Sequence, residues 1–264
     1  MIYREEENMS RMKEFQRLHE LNDLLVLGNA WDLPSAHVLE KVGFKAIGTT
    51  SWGIATSLGY SDGEAIDFEL QLAVIRRIVN HVKVPVSADI ESGYGPNDEA
   101  IVSNVLKVAN IGGVGINIED SLKASTGLKP LSEQCGLLAK IRSALDNSGF
   151  GDFFINARTD PYLLHHLDPL NETMTRSKHY VESGASGIFV PGLKNREEIR
   201  MIASSASAPL NVMALPDLTD CEKLKELGVR RLSLGGSLYR KMTTLLEQCA
   251  VEMLDSHDAA LLFK

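Results

Sequence analysis

Carboxylate and guanidinium side chains recur where short apolar runs give way to glycine-containing turns. Asp89-Ile90-Glu91-Ser92-Gly93-Tyr94-Gly95 ends one run, Asn117-Ile118-Glu119-Asp120 the next, and Asn156-Ala157-Arg158-Thr159-Asp160 the one after. Asp89, Glu91 and Glu119, brought together, repel one another and rise in pKa unless a cation neutralises them. Hard oxygen ligands with room for water suit Mg2+ or Mn2+ better than Zn2+, and no histidine cluster competes. Arg158 offers a planar, permanently charged fork for a carboxylate or phosphonate. Upstream, Thr50-Ser51-Trp52-Gly53 supplies hydroxyls and backbone N–H groups for a substrate carboxylate, and the glycine-containing loop beyond it reaches Asp62. A second arrangement stays open for the charged groups. The acids can cap helices or pair with Arg and Lys on a rim, and Arg158 can bridge to Asp160 or Glu119.

Positioning these groups falls to elements that alternate along the whole chain. Strands are predicted at Leu24–Leu27, Lys45–Thr49, Val86–Asp89, Val114–Ile118, Phe153–Asn156, Gly187–Val190, Asn211–Ala214 and Arg231–Leu234. None shows clean polar/apolar alternation, as expected for parallel strands buried on both faces. Between them lie helical patterns. Asp67–Val82 repeats Phe68, Leu72, Ile75 and Val79, and Ser132–Leu145 repeats Leu137, Leu138, Ile141 and Leu145. Asn97 and Thr219 are placed to start helices, and Gly43, Gly112, Gly184 and Gly228 to close them with left-handed caps. Eight strand–helix units predict a closed (β/α)8 TIM-type barrel, whose strands carry reacting groups at their C-terminal ends. That rule is what brings Asp89, Glu91, Glu119 and Arg158 together. An open doubly wound sheet would also alternate, but no GxGxxG turn follows the first strand.

The 264 residues fit a single barrel domain, 1–264, with residues 1–22 as an extra N-terminal helix (Glu5 to Leu21 its core) that can cap the barrel's bottom. Residues 237–264 form a C-terminal helical extension, with Leu238, Met242, Leu245, Leu246, Cys249 and Met253 on one face. Packing on the chain's own barrel is the plainer fate for that face; a subunit contact is the other. A net charge of −8 argues against nucleic-acid or anionic-membrane partners, which need clustered Lys and Arg, but leaves room for a small anionic substrate. Cys135, Cys221 and Cys249 are widely spaced and form no disulfide framework; together with an N-terminus lacking an apolar h-region, they point to the cytoplasm. No apolar run reaches the roughly 18 residues of a membrane helix.

Five segments resemble the isocitrate lyase/phosphoenolpyruvate mutase superfamily, in order from about Leu25 to Arg240. They are Thr49–Glu64, Asp89–Gly95, Asn117–Asp120, Asn156–Arg158 and Leu227–Gly235. Asp89–Gly95 is similar to the family's Asp-x-Asp-x-Gly-Tyr-Gly, with Glu91 replacing the second Asp. The resemblance implies Mg2+ held directly at Asp89, with Glu91 and Glu119 acting largely through water. It implies an α-oxo acid whose carboxylate meets the Thr50-Ser51 backbone and Arg158, and a site acid at Asp62. It also implies a homotetramer that exchanges C-terminal helices between neighbours. Mg2+ chelated by the carboxylate and oxo group would stabilise the enolate left when a bond to C3 breaks.

The loop after Glu119 departs from the family. Many of its lyases carry Lys-Lys/Arg-Cys-Gly-His there, whereas this chain reads Ser121-Leu122-Lys123-Ala124-Ser125-Thr126-Gly127-Leu128-Lys129-Pro130. Gly127 stands where the Cys would be and Ser125 where a Lys would be; Cys135 lies too far on, within a helix. Lys123 and Lys129 are lysines near the place of the missing group, each with a solvated role as its plainer reading. Pro191 replaces a histidine of mutase-like members, which counts against phosphoryl transfer, and His165 and His166 are expected to be exposed or structural. The expected activity is an Mg2+-dependent carbon–carbon lyase or decarboxylase of a small α-oxo or 2-hydroxy dicarboxylate. Carbon–phosphorus cleavage of phosphonopyruvate, or oxo-acid binding without turnover, are the rivals.

Overall fold

The structure, a computed structural model, describes residues 2–122 and 127–263, without the side chains of residues 2–7 and 261. Eight parallel strands close into a barrel in sequence order: β1 (Leu25–Ala30), β2 (Ile47–Thr49), β3 (Val86–Asp89), β4 (Gly115–Glu119), β5 (Phe154–Arg158), β6 (Gly187–Val190), β7 (Leu210–Met213) and β8 (Val229–Ser233). The helices are α1 (Ile2–Glu20), α2 (Leu33–Lys41), α3 (Ser51–Ser57), α4 (Phe68–Val79), α5 (Asp98–Asn110), α6 (Leu131–Asn147), α7 (Pro169–Glu182), α8 (Arg196–Ser205), α9 (Cys221–Glu226) and α10 (Ser237–Ser256). The predicted TIM-type barrel is therefore the fold, and each predicted strand overlaps an observed one. Boundaries moved by up to three residues, because a barrel strand ends where its neighbours stop pairing rather than where apolar residues stop.

Caps follow the sequence closely. Asn97 accepts a hydrogen bond from Ala100 N to start α5. The four predicted closing glycines, Gly43, Gly112, Gly184 and Gly228, have φ of 98°, 98°, 99° and 90°. One cap differs: Asp220, not Thr219, starts α9, its carboxylate accepting from Lys223 N. Amphipathic faces bury as expected, with Phe68, Leu72, Ile75 and Val79 of α4 and Leu137, Leu138, Ile141 and Leu145 of α6 all in the core.

The barrel interior is unusually polar. Pairing registers and strand tilt put Leu27, Ser87, Asn156 and Asn211 on one inward layer. Above it, Asp89 and Arg158 share the layer that opens to the mouth. Arg231 reaches from β8 across the axis. Its Nη2 donates to Asn117 Oδ1 on the opposite strand β4 (3.2 Å), and its Nε to Ser233 Oγ (3.1 Å). Burial lowers its pKa to about 9, against the opposing charge of Asp89. Below, α1 closes the bottom as expected. Its Phe15 packs edge-on against Phe154 of β5, and His19 stacks on Phe154 with centroids 4.1 Å apart.

The C-terminal extension does not follow its plainer expectation. No residue of α10 is fully buried, and Met242, Leu245 and Leu246 are exposed. Its first turn is seated on the barrel, where Tyr239 packs edge-on against Trp31 and Trp52. Among the described residues, no helix is long and apolar enough to cross a membrane.

Candidate active site

The C-terminal strand ends bring the predicted groups to one mouth. Asp89 is the last residue of β3, and Glu119 and Arg158 end β4 and β5 as register partners. Asp89 is half-buried at the start of α3, where Ser51 donates to its Oδ2 from both Oγ (2.9 Å) and N (3.3 Å). Its backbone is fixed as well: its N–H donates to Thr49 Oγ1, and its carbonyl accepts from Gln71 Nε2 (2.7 Å). Burial raises the pKa of Asp89; Glu91 adds to the rise, while Arg158 and Ser51 oppose it.

The turn after β3 is strained. Glu91 and Tyr94 have φ of 48° and 54°, in the left-handed region that non-glycine residues avoid. Gly93, at φ 111°, admits no side chain, because an added Cβ would stand 2.4 Å from Ile101 Cγ2. Two side chains hold the turn from outside. Glu64 Oε1 accepts from Ser92 N, Ser92 Oγ and Tyr94 N at 2.9, 2.7 and 3.1 Å. Asn104 Nδ2 donates to the carbonyls of Gly93 and Tyr94. The Tyr94 hydroxyl lies 2.5 Å from both Glu91 Oε1 and Gln71 Oε1.

Arg158 is held on three sides. Its Nε and Nη2 donate to the two oxygens of Asp160 at 2.7 and 2.9 Å, and its Nη1 meets Glu119 Oε2 at 2.8 Å. Burial opposes this charge, but Asp160 and then Glu119 outweigh it and raise the guanidinium pKa above its ordinary value. Ser121, at the foot of the following loop, donates to the same Asp160 carboxylate. The bridge to Asp160 and Glu119 that the sequence left open is thus made.

The other predicted groups are placed less centrally. Thr50 caps α3, and its N–H is taken by Ala30 O; the Gly53 N–H is taken by Thr50 Oγ1. With Ser51 turned to Asp89, this turn serves the protein's own groups rather than presenting a free row of donors. Trp52 faces α10, with Arg240 over its ring at 4.5 Å. Asp62 is exposed on the α3–α4 loop, Pro191 is buried after β6, and His165 and His166 are exposed. Lys123 and Ser125 lie outside the described residues. The sequence reading missed Glu64, Gln71 and Asn104, which shape the β3 turn from distant helices and loops. Glu64 lay within a segment already singled out, but nothing in that segment's composition told it from its neighbours.

Among the described residues, no three His, Cys, Asp or Glu side chains stand close enough to hold a metal ion by themselves. A cation held at Asp89 would have to complete its shell with water and substrate oxygens, which is how Mg2+ binds. The donor set fits: oxygen only, with a carboxylate whose ionisation is disfavoured by burial and by Glu91, so that a divalent charge beside it offsets both.

Residues 15–254 match the family model described as phosphoenolpyruvate phosphomutase. An uncharacterized protein of Mycobacterium tuberculosis is 36% identical over 225 residues, covering 85% of this chain and 83% of that protein. The oxaloacetate decarboxylase of Pseudomonas putida is 30% identical over 221 residues, covering 80% and 73%. Among solved structures, a Burkholderia cenocepacia J2315 protein assigned to the lyases or mutases superposes with a TM-score of 0.90 at 30% identity, covering 96% of this chain and 91% of that one. The chain belongs to the phosphoenolpyruvate phosphomutase family, enzymes of the isocitrate lyase/phosphoenolpyruvate mutase superfamily.

Proposed function

We propose that the chain is a divalent-metal-dependent carbon–carbon lyase or decarboxylase of a small α-oxo or 2-hydroxy dicarboxylate, with oxaloacetate the first substrate to test. The observation that carries this reading is the half-buried Asp89 beside Glu91, one strand from the Glu119–Arg158 pair, at the barrel mouth. Similarity to an oxaloacetate decarboxylase over most of the chain supports it. Asp89 would hold the metal, Mg2+ or Mn2+, and Glu91 and Glu119 would act on it largely through water. A bound cation supplies the positive charge against which an enolate develops.

Arg158 takes the substrate carboxylate, exchanging Glu119 for it on Nη1 while Asp160 keeps the guanidinium plane fixed. Ser51 and Thr50 border the metal side, Trp52 and Gly53 shape the wall behind them, and Asp62 meets the outer end of the substrate. The partners are a small anionic substrate and further copies of this chain, seated on the apolar stripe of α10.

The test is pyruvate release from oxaloacetate, 2-hydroxy dicarboxylates and phosphonopyruvate, with Mg2+ and with EDTA. Mg2+-dependent pyruvate and CO2 from oxaloacetate support the reading; phosphate released with pyruvate from phosphonopyruvate rejects it in favour of carbon–phosphorus cleavage. Oxalate binding without turnover on the whole panel would make the chain a binding protein. Asp89→Ala removes metal-dependent turnover while unfolding stays cooperative, because this side chain's bonds lie at the strand end rather than in the core.

A further inference from the structure

Gln71 stands on the inner face of α4 and is fully buried. Its neighbours on that face are Phe68, Leu72 and Ile75, so an apolar side chain would suit the position. A buried amide is costly unless both its donor and its acceptor are used. Here both are used, and both on the segment that carries the acids. Nε2 donates to the Asp89 carbonyl at 2.7 Å, and Oε1 lies 2.5 Å from the Tyr94 hydroxyl. The Asp89 carbonyl can only accept, so the amide nitrogen must face it and the amide oxygen must face Tyr94.

Tyr94 carries the contact on to Glu91. Its hydroxyl is also 2.5 Å from Glu91 Oε1, and its ring packs against Phe68, one turn before Gln71 on the same helix, with centroids 5.5 Å apart. One helical side chain thus touches the strand end at Asp89 directly and reaches Glu91 through a single phenol.

The chain between the two ends of this bridge is not stiff by itself. Glu91, Gly93 and Tyr94 all have positive φ, and such a backbone persists where its surroundings over-determine it. Glu64 and Asn104 hold the main chain of the turn, whereas Gln71 and Tyr94 act on the Glu91 side chain and on the Asp89 carbonyl. The helix that presents Gln71 is a firm platform. Asp67 caps its first turn by accepting from Glu69 N (2.8 Å), and Leu72, Ile75, Ile78 and Val79 seat it in the core.

We propose that Gln71 is a positioning residue for the candidate metal site, setting the spacing and aim of Asp89 and Glu91 before a divalent cation arrives. Its contribution is preorganisation. Without it the two acids adopt their binding arrangement for only part of the time, and the apparent affinity for the cation falls by that fraction. Groups that orient metal ligands from behind change metal affinity by roughly 10- to 100-fold. Once the cation is bound, its own contacts restore the arrangement, so the loss is one of affinity and not of chemistry.

This inference rests on the reading of Asp89 as a metal ligand, and a binding measurement made without substrate separates their failures. Mn2+ is titrated into the wild type, Gln71→Met, Tyr94→Phe and Asp89→Ala, and the free ion is followed by electron paramagnetic resonance. Methionine nearly matches glutamine in volume and keeps the inner face of α4 apolar, so Gln71→Met is expected to retain the barrel's circular dichroism. Its Mn2+ dissociation constant is expected to rise roughly tenfold or more. Tyr94→Phe, which removes one oxygen and leaves Gln71 on Asp89, is expected to raise it by a smaller factor. In turnover assays Gln71→Met is expected to need more Mg2+ for its half-maximal rate and to recover the wild-type kcat, with unchanged KM for the oxo acid, when Mg2+ saturates. A general loss of packing would lower kcat at every Mg2+ concentration. Unchanged Mn2+ affinity in Gln71→Met overturns the inference, as does a kcat deficit that saturating Mg2+ leaves in place. If Gln71→Met does not fold, unchanged affinity in Tyr94→Phe overturns it equally. A wild type that binds no Mn2+, or an Asp89→Ala variant that binds it as tightly as the wild type, overturns the metal reading itself, and this inference with it.

Discussion

At the scale of single residues, Arg158 is the most constrained group in the site, its three nitrogens shared between Asp160 and Glu119. A lysine ammonium has neither the fork nor the reach to make these contacts together. Arg158→Lys is therefore expected to raise KM for the oxo acid about tenfold or more, since each tenfold costs only about 1.4 kcal/mol. Steady-state kinetics check this, and an unchanged KM would remove Arg158 from substrate binding. The positions of Asp89, Glu119 and Arg158 were legible in the sequence because parallel barrel strands end in their functional residues. Their partners were not. Gln71, Glu64 and Asn104 act on the β3 turn from α4, the α3–α4 loop and α5, and no local pattern announces a contact across so much chain. The occupied state of the Thr50–Gly53 turn was equally hidden, since only the structure shows Ser51 turned toward Asp89.

At the scale of elements, α1 was legible as a helix closing the barrel, but the chemistry of its seat was not. His19 is buried, its Nδ1 bonded to Phe15 O at 2.7 Å and its Nε2 without a partner among the described residues. Burial, with the charge of Arg231 adding to it, lowers its pKa from 6.5 to about 3. The unfolded chain thus binds this proton at a higher pH than the folded one. The stability it contributes is complete above pH 6.5 and is lost as pH falls toward about 3. Chemical denaturation should show the wild type losing about 2 kcal/mol between pH 7 and pH 5 that His19→Phe, which keeps the stacked ring, does not lose. Equal slopes for the two proteins would mean that His19 is protonated in place. Arg230 and Arg231 teach the related lesson. Adjacent strand residues face opposite ways, and only the register of β8 decides which arginine enters the barrel.

At the scale of the whole molecule, the barrel was legible from its eight alternating units, yet the fate of α10 was not, since an apolar stripe looks alike whether its own barrel or another copy covers it. The structure leaves Met242, Leu245 and Leu246 exposed on a helix of 20 residues, about 30 Å long, whose first turn packs on the barrel through Leu238 and Tyr239. A continuous apolar stripe of this kind is costly to leave in water, and a net charge of −8 disfavours a nucleic-acid or anionic-membrane surface as its cover. A second copy is the complementary surface always present, and α10 leaves the barrel at the end that carries the mouth, so an exchanged helix would also brace Trp52 and the wall of the site. Sedimentation velocity is expected to give a mass at least twice the 28.9 kDa of one chain. Leu245→Glu combined with Leu246→Glu is expected to sediment as the single chain with its barrel circular dichroism intact, because neither side chain contributes to the core. A wild-type chain that stays monomeric at micromolar concentration would return α10 to an ordinary solvated helix.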